Sequence, residues 1–320
     1  MDKLIIIAGP TAVGKSAAAV ELAKKIDGEI VSADSMQVYR NMDIGTAKIS
    51  KEEMKGIPHH LLDILDPEEE FNVSVFQKLA NDAIKDINAR GKIPVLTGGT
   101  GFYIQAVLYG IEFTKEETDK SYRHELEEIA KTEDGRRILF ERLKQTDPDS
   151  LQTIHENNIK RVIRALEYYK ETGHKISEHN EEMRKKPPVY DHIGFFLTDD
   201  RAKLYERIDR RVDKMMGGGL VNEVTALKDK GVPSNATSMQ GLGYKEIYSY
   251  LQGESTLEEA VYLIKRDSRH FAKRQITWFK NREDFIEIDR SGFTDPENEI
   301  PDLMLKKKKK KNIISKSDEK

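Results

Sequence analysis

The chain has 320 residues, a net charge of −3 and no cysteine. A length of this order suggests about two domains, and the missing cysteines exclude disulfides, cysteine-ligated zinc and thiol nucleophiles. Near-neutral charge confines any nucleic-acid surface to a local basic patch, while the absence of a spanning-length apolar stretch and of signal-peptide architecture points to a cytoplasmic protein.

The first element is the apolar run Leu4–Ala8, a buried strand by composition. Directly behind it stand Gly9, Pro10, Thr11, Ala12, Val13, Gly14, Lys15 and Ser16, which match the G-x-x-x-x-G-K-[ST] phosphate loop. A helix over Ala17–Lys25 completes the strand–loop–helix context that gives the pattern its meaning. Loop N–H groups and the helix N-terminus can cradle a diphosphate. Lys15 adds a mobile positive charge, and Ser16 offers a hydroxyl to Mg²⁺. The loop specifies a diphosphate or polyphosphate and leaves the rest of the ligand open.

A second strand, Glu29–Ser32, runs into Ala33-Asp34-Ser35-Met36-Gln37. Ligands of an open parallel sheet sit beyond the carboxyl ends of its strands, so Asp34 is expected in the same crevice as the loop. A carboxylate there can serve as a general base or as an outer-sphere Mg²⁺ ligand. The competing role is a turn or helix cap. Gln37 suits the reading of a base edge, although a plain loop amide explains it equally. His59 and His60, with Asp63, superficially resemble a metal cluster. Their surroundings, Pro58 to Pro67, read as a packed segment and favour structural histidines.

Val75–Ala89 places Val75, Leu79, Ala83 and Ile87 on one helical stripe. The next strand, Ile93–Thr97, ends in Gly98-Gly99-Thr100-Gly101. Glycines let backbone approach a ligand closely, and Thr100 can donate to a diphosphate oxygen. The strand carries no terminal aspartate of the kind that holds a metal in nucleotide hydrolases and many kinases.

From Thr114 to Pro188 the texture changes to charged helix: Glu125–Ile129, Arg136–Lys144 and Asn158–Glu171, the last capped by Gly173. Residues 114–188 are expected to form an inserted helical domain. Its basic set is Lys160, Arg161 and Arg164. The core resumes with the strand His192–Leu197 and a helix over Leu204–Met216, whose Arg207, Arg210 and Arg211 are positioned to cover the phosphate loop. Gly217–Gly219 read as a flexible break. Helices then continue to Asn281, with Lys265, Arg266, Arg269, Lys273 and Arg274 on one face among Phe271, Trp278 and Phe279. Spaced cations and aromatics suit a nucleic acid, and a solvated helix face suits any one of them alone. After a last strand, Phe285–Ile288, residues 291–320 with the run Lys306–Lys311 read as a disordered basic tail. Strands alternating with helices give an α/β class: a parallel sheet of the P-loop NTPase kind, built from residues 1–113 and 189–290, flanked by helices.

GPTAVGKS, SADSMQVYR, IPHHLLDILDP, TGGTGFY, the arginine helix, GLGYKE and AKRQITWFKNR occur in that order. The ordered set resembles the bacterial tRNA dimethylallyltransferases over about residues 3 to 290. The zinc finger of eukaryotic relatives is missing, in keeping with the absent cysteines. The resemblance implies transfer of a dimethylallyl group from dimethylallyl diphosphate to N6 of the adenosine 3′-adjacent to the anticodon, in tRNAs reading codons that begin with U. It implies that the loop holds the prenyl diphosphate rather than ATP, with Ser16 on Mg²⁺. Asp34 would accept the amine proton, while Thr100 and Arg211 line the channel and Lys15 and Arg211 hold the leaving group. Ser35, Met36 and Gln37, the helix around Lys160, Arg161 and Arg164, and the segment containing Gly241, Gly243, Tyr244 and Lys245 would contact the anticodon stem-loop of a tRNA bound by a monomeric enzyme. The alternatives are a small-molecule kinase using ATP and an RNA-binding module without chemistry.

Overall fold

The computed structural model describes residues 1–113, 121–280 and 282–310. The opening of the insertion at Thr114, Asn281 and the end of the lysine run at Lys311 lie outside the described residues. In chain order the elements are β1 (Lys3–Ala8), α1 (Lys15–Lys25), β2 (Gly28–Ser32), β3 (His59–His60), α2 (Val73–Ala89), β4 (Ile93–Gly98) and α3 (Gly101–Leu108). There follow α4 (Ser121–Ile129), α5 (Glu133–Thr146), α6 (Ile159–Thr172), α7 (Ile176–Lys185), β5 (Asp191–Thr198), α8 (Arg201–Gly217), α9 (Leu220–Asp229), α10 (Tyr244–Leu251), α11 (Leu257–Phe279), β6 (Phe285–Asp289) and α12 (Pro296–Lys310).

Among the described residues the sheet has six strands in the order β3-β2-β4-β1-β5-β6, all paired in parallel. The α/β expectation holds. β1 is central and buried on both faces, which is why its sequence is a continuous apolar run rather than an alternation. Leu4, Ile6 and Ala8 pack into the layer that contains α2, α3, α9 and α10. Ile5 and Ile7 pack into the opposite layer with α1 and α12. The five strands read from sequence are all present; β3 is additional, and its His59 and His60 pair with Ile30 and Val31.

The chain divides into two compact units, residues 1–110 with 188–320, and residues 111–187. In the second unit Leu126, Leu139, Leu143, Val162 and Leu166 make a small core of their own. Gly173 caps α6 with a left-handed φ of 71°, as its sequence position suggests.

The tail differs from expectation. Residues 296–310 are not disordered but form α12, which lies along α1. Ile300 and Met304, four residues apart, are fully buried there and supply the apolar stripe. Asp302 adds an ion pair to Lys25. The lysines at the C-terminal end of this helix complement its dipole, so the run is compatible with helix once the stripe before it has docked.

Candidate active site

The carboxyl ends of β1, β2 and β4 meet at one crevice. Gly98 at the end of β4 touches the Ala33 backbone at the end of β2, so closely that any side chain there would collide. This brings Asp34 and Thr100 to the phosphate loop. The loop itself turns through two left-handed residues, Ala12 (φ 63°) and Gly14 (φ 98°), and Gly14 is the N-cap of α1. Lys15 then folds back over the loop and donates from Nζ to Pro10 O at 2.7 Å. Ser16 is exposed on the first turn of α1.

A cavity of about 360 Å³ opens beside the loop, lined by Thr11, Asp34, Ser35, Met36, Thr100 and Arg211 together with the apolar side chains Ile208, Val212, Met215, Leu242 and Phe271. That volume lies within the usual range for a small-molecule site. The lining combines charged and polar groups with hydrocarbon, as a ligand with a charged head and an apolar tail requires.

Electrostatics tie Asp34 and Arg211 of this lining to Lys15 on the loop. Burial pulls the Lys15 ammonium from its ordinary value down to about 7; the Arg211 charge helps, and Asp34 opposes. Burial also lowers Arg211, again against Asp34. The cavity thus holds more positive charge than its own acid neutralises, which favours an anion. Arg211 is held by a hydrogen bond from Nη2 to Thr46 O at 3.2 Å.

Asp34 combines its two sequence readings. Its Oδ1 accepts the amides of Met36 at 2.9 Å and Gln37 at 3.3 Å, the turn role expected of a short carboxylate. Oδ2 makes no hydrogen bond among the described residues, and Asp34 lines the cavity. Thr100 is the N-cap of α3 without a side-chain cap bond, so its hydroxyl also remains available.

Other expected contacts separate. Of Arg207, Arg210 and Arg211 on α8, Arg211 lines the cavity. Arg207 lies behind the loop, bonded to Ala12 O at 3.0 Å, and Arg210 points away beside Glu206. On α11, Lys265 and Arg269 are bound to Asp213 and Asp209 of α8 at 2.5 Å each. They hold the two helices together and are not a free phosphate-binding face. Arg274 borders the cavity, and with Lys273, His270 and Trp278 it lines an adjoining shallow depression. Gln37 spends its amide on Thr46 O and Ala47 O. Gly241 and Lys245 reach the cavity edge. Gly243 starts α10 and donates its amide to Glu246 at 2.8 Å. Tyr244 also lines the cavity but is buried, with its hydroxyl on Glu223 Oε1 at 2.7 Å. In the second unit Lys160 and Arg161 are exposed, whereas Arg164 is paired with Glu167 at 3.0 Å.

Two supporting residues escape sequence reasoning. Glu223 accepts the backbone amides of Asp43, Ile44 and Gly45 at 2.8 to 3.0 Å, which fixes the loop whose next carbonyl, Thr46 O, holds Arg211. Gln275 accepts the Thr11 amide at 2.8 Å and donates to Gly99 O at 3.0 Å, pinning the phosphate loop to the end of β4. Nothing in LVNEVTALKD or AKRQITWF marks either side chain apart from an ordinary helix position.

Comparison with known proteins narrows the chemistry. The family model described as IPP transferase matches residues 37–282, and one described as isopentenyl transferase matches residues 2–68. The tRNA dimethylallyltransferase of Lachnoclostridium phytofermentans is 57% identical over 293 residues, 92% of this chain and 93% of that one. The protein of the same name from Carboxydothermus hydrogenoformans is 54% identical, covering 87% and 89%. The crystal structure of full-length tRNA isopentenylpyrophosphate transferase from Bacillus halodurans superposes with a TM-score of 0.73 at 45% identity, over 97% and 98% of the chains. A eukaryotic dimethylallyltransferase acting on tRNA superposes with a TM-score of 0.80 at 30% identity, over 99% and 82%.

Proposed function

The chain belongs to the IPP transferase family and transfers a dimethylallyl group to tRNA; we propose that the donor is dimethylallyl diphosphate and the acceptor is N6 of the adenosine 3′-adjacent to the anticodon, in tRNAs reading codons that begin with U. The carrying observation is the cavity that Asp34, Thr100 and Arg211 line together with apolar side chains, beside a loop whose Lys15 feels the charges of both Arg211 and Asp34.

The chemistry follows from what the acceptor lacks. An exocyclic adenine amine is a weak nucleophile because its lone pair is delocalised into the ring. An allylic carbon offsets this by stabilising positive charge as diphosphate departs. The N6–C1 bond forms, the C1–O bond breaks, and its electron pair leaves on the diphosphate. Lys15, Arg211 and Thr100 neutralise that developing charge. The N6 proton passes to Asp34. The apolar side chains align the donor tail and keep water from the reacting carbon. The purine reaches the pocket by leaving its stack, a modest cost in an anticodon loop.

Mg²⁺ binds through few protein ligands and several phosphate oxygens. The exposed Ser16 hydroxyl beside a diphosphate cradle fits that donor set, and no group of three or more His, Asp or Glu able to hold a metal occurs among the described residues. The ion would add charge neutralisation on the leaving group. The enzyme acts as a monomer on the cytoplasmic tRNA pool; among the described residues no helix is long and apolar enough to cross a membrane.

The direct test supplies Mg²⁺, labelled dimethylallyl diphosphate and unmodified tRNA, with ATP in a parallel reaction. Label is expected on N6 of the anticodon-adjacent adenosine, with no displacement of donor by ATP. Label that fails to enter tRNA, or ATP that competes at low concentration, overturns the reading.

Lys160 and Arg161 are the exposed cations of α6 without a partner among the described residues, and they form part of the tRNA surface. Converting both to glutamate is expected to weaken tRNA binding and lower the slope of log K against log salt by about 1.4 to 1.8, the value for two lost phosphate contacts. An unchanged slope in a salt titration places the RNA surface elsewhere.

A further inference from the structure

The rear of the phosphate loop carries a device that the transfer reaction itself does not explain. Asp199 follows β5, and its carboxylate is almost entirely buried at 1% exposure. Its Oδ2 is bound by the Arg207 guanidinium and lies 3.9 Å from Arg290 Nε. Its Oδ1 accepts the amide of Asp200 at 2.7 Å. Both arginines then turn to the loop. Arg207 Nε donates to Ala12 O at 3.0 Å, and Arg290 Nη1 approaches Val13 O at 3.4 Å. Arg290 also packs on Gly14 so tightly that a methyl group there would collide with its guanidinium.

These contacts fall on the part of the loop that is hardest to hold. Ala12 is a non-glycine residue in the left-handed region, a conformation that persists only where surroundings enforce it. A peptide plane has two ends. Fixing the carbonyls of Ala12 and Val13 toward β5 and β6 turns the following amides, those of Val13 and Gly14, toward the opposite side. Asp34 and Thr100, which line the cavity, follow β2 and β4, across β1 from β5 and β6.

We infer that Asp199 is the positioning residue of the diphosphate site: by holding Arg207 and Arg290 against the rear carbonyls of the loop, it orients the loop amides toward the donor and closes the β5–β6 side to it. The inference rests on the reading that the loop binds the donor's diphosphate. It makes Asp199 act through two arginines on peptide orientation, so its loss should be felt in donor recognition and not in tRNA recognition. A buried carboxylate that served folding alone would lower the active fraction and leave both Michaelis constants unchanged.

The test compares Asp199→Asn, Arg290→Ala and the double variant Asp199→Asn/Arg290→Gln with Lys15→Ala, using steady-state kinetics in both substrates and thermal unfolding. Asp199→Asn is expected to raise KM for dimethylallyl diphosphate about 10- to 100-fold, the scale of a misplaced binding group, with KM for tRNA unchanged. The double variant removes one of the two guanidinium charges that Asp199→Asn leaves unpaired and restores the net charge of the cluster, so it should recover part of the stability but not donor affinity. Arg290→Ala retains the Asp199–Arg207 pair and carries the test if Asp199→Asn does not fold; it too should raise donor KM. If Lys15→Ala raises donor KM while the Asp199 and Arg290 variants do not, the positioning role is wrong and the diphosphate reading stands. If none of them changes donor KM, the diphosphate reading fails and the inference falls with it.

Discussion

Asp34→Asn is expected to lower the single-turnover rate about 10²- to 10⁴-fold, the range for loss of a general base, with tRNA affinity nearly unchanged. Asparagine is the informative substitution because Asp34 has two roles in one side chain. Oδ1 organises the turn by accepting the Met36 and Gln37 amides, and an asparagine carbonyl can do the same. The proton-accepting capacity at Oδ2 is what the amide cannot supply. Asp34→Ala removes both and should lose at least as much rate. A secondary effect falls on donor binding: the Asp34 charge supports the ammonium of Lys15 and the guanidinium of Arg211, so its removal lowers Lys15 protonation while it relieves repulsion of the diphosphate. Measuring the rate at saturating donor, alongside equilibrium tRNA binding, separates the two. An Asp34→Asn enzyme with near-normal rate at saturation would reduce Asp34 to a turn residue and require a different proton acceptor.

The parts of this site visible in sequence are those that act locally. The phosphate loop is a contiguous octapeptide whose flanking strand and helix are each legible from pattern. Asp34 and Thr100 are placed by one topological rule, since each follows the carboxyl end of a strand of the same parallel sheet, β2 and β4. The parts that were hidden act over long separations. Gln275 meets Thr11 across 264 residues, and Arg290 meets Val13 across 277. Glu223 meets three amides in the segment 43–45 from a helix whose sequence is only amphipathic. Each looks like a solvated surface residue until the fold supplies its partner. The cation clusters mislead for the same reason: Lys265 and Arg269 share a face with Lys273 and Arg274, yet Asp209 and Asp213 on a neighbouring helix neutralise the first pair. β3 is two residues long and carries no periodicity. In α12, five lysines outweighed Ile300 and Met304 in composition, although the two apolar residues decide where the helix docks.

Lys15→Ala is expected to weaken donor affinity about 10- to 100-fold, the equivalent of one lost charge-assisted hydrogen bond, and to change how that affinity depends on pH. The free enzyme holds Lys15 near 7 because burial and Arg211 disfavour its charge. A diphosphate reverses that balance and raises the ammonium again. Below pH about 7 the lysine is already charged, and donor binding takes up no proton there. Above it, binding must first protonate Lys15, so wild-type affinity falls by up to about tenfold per pH unit relative to the alanine variant. Titration calorimetry in two buffers of different ionisation enthalpy reads this uptake directly, and the difference between the two proteins removes the donor's own ionisation. The same shift has a stability consequence of opposite sense. An unfolded lysine titrates near 10.5, so between about 7 and 10.5 the unfolded chain binds more protons and stability rises with pH; the cost of burying the charge is present in full below pH 7. Lys15→Ala should therefore raise the melting temperature of the donor-free protein at pH 6 while it abolishes tight donor binding. Equal pH profiles for both proteins would mean that the loop lysine does not meet the diphosphate, and a lower melting temperature for the variant would mean that its ammonium is not strained in the free site.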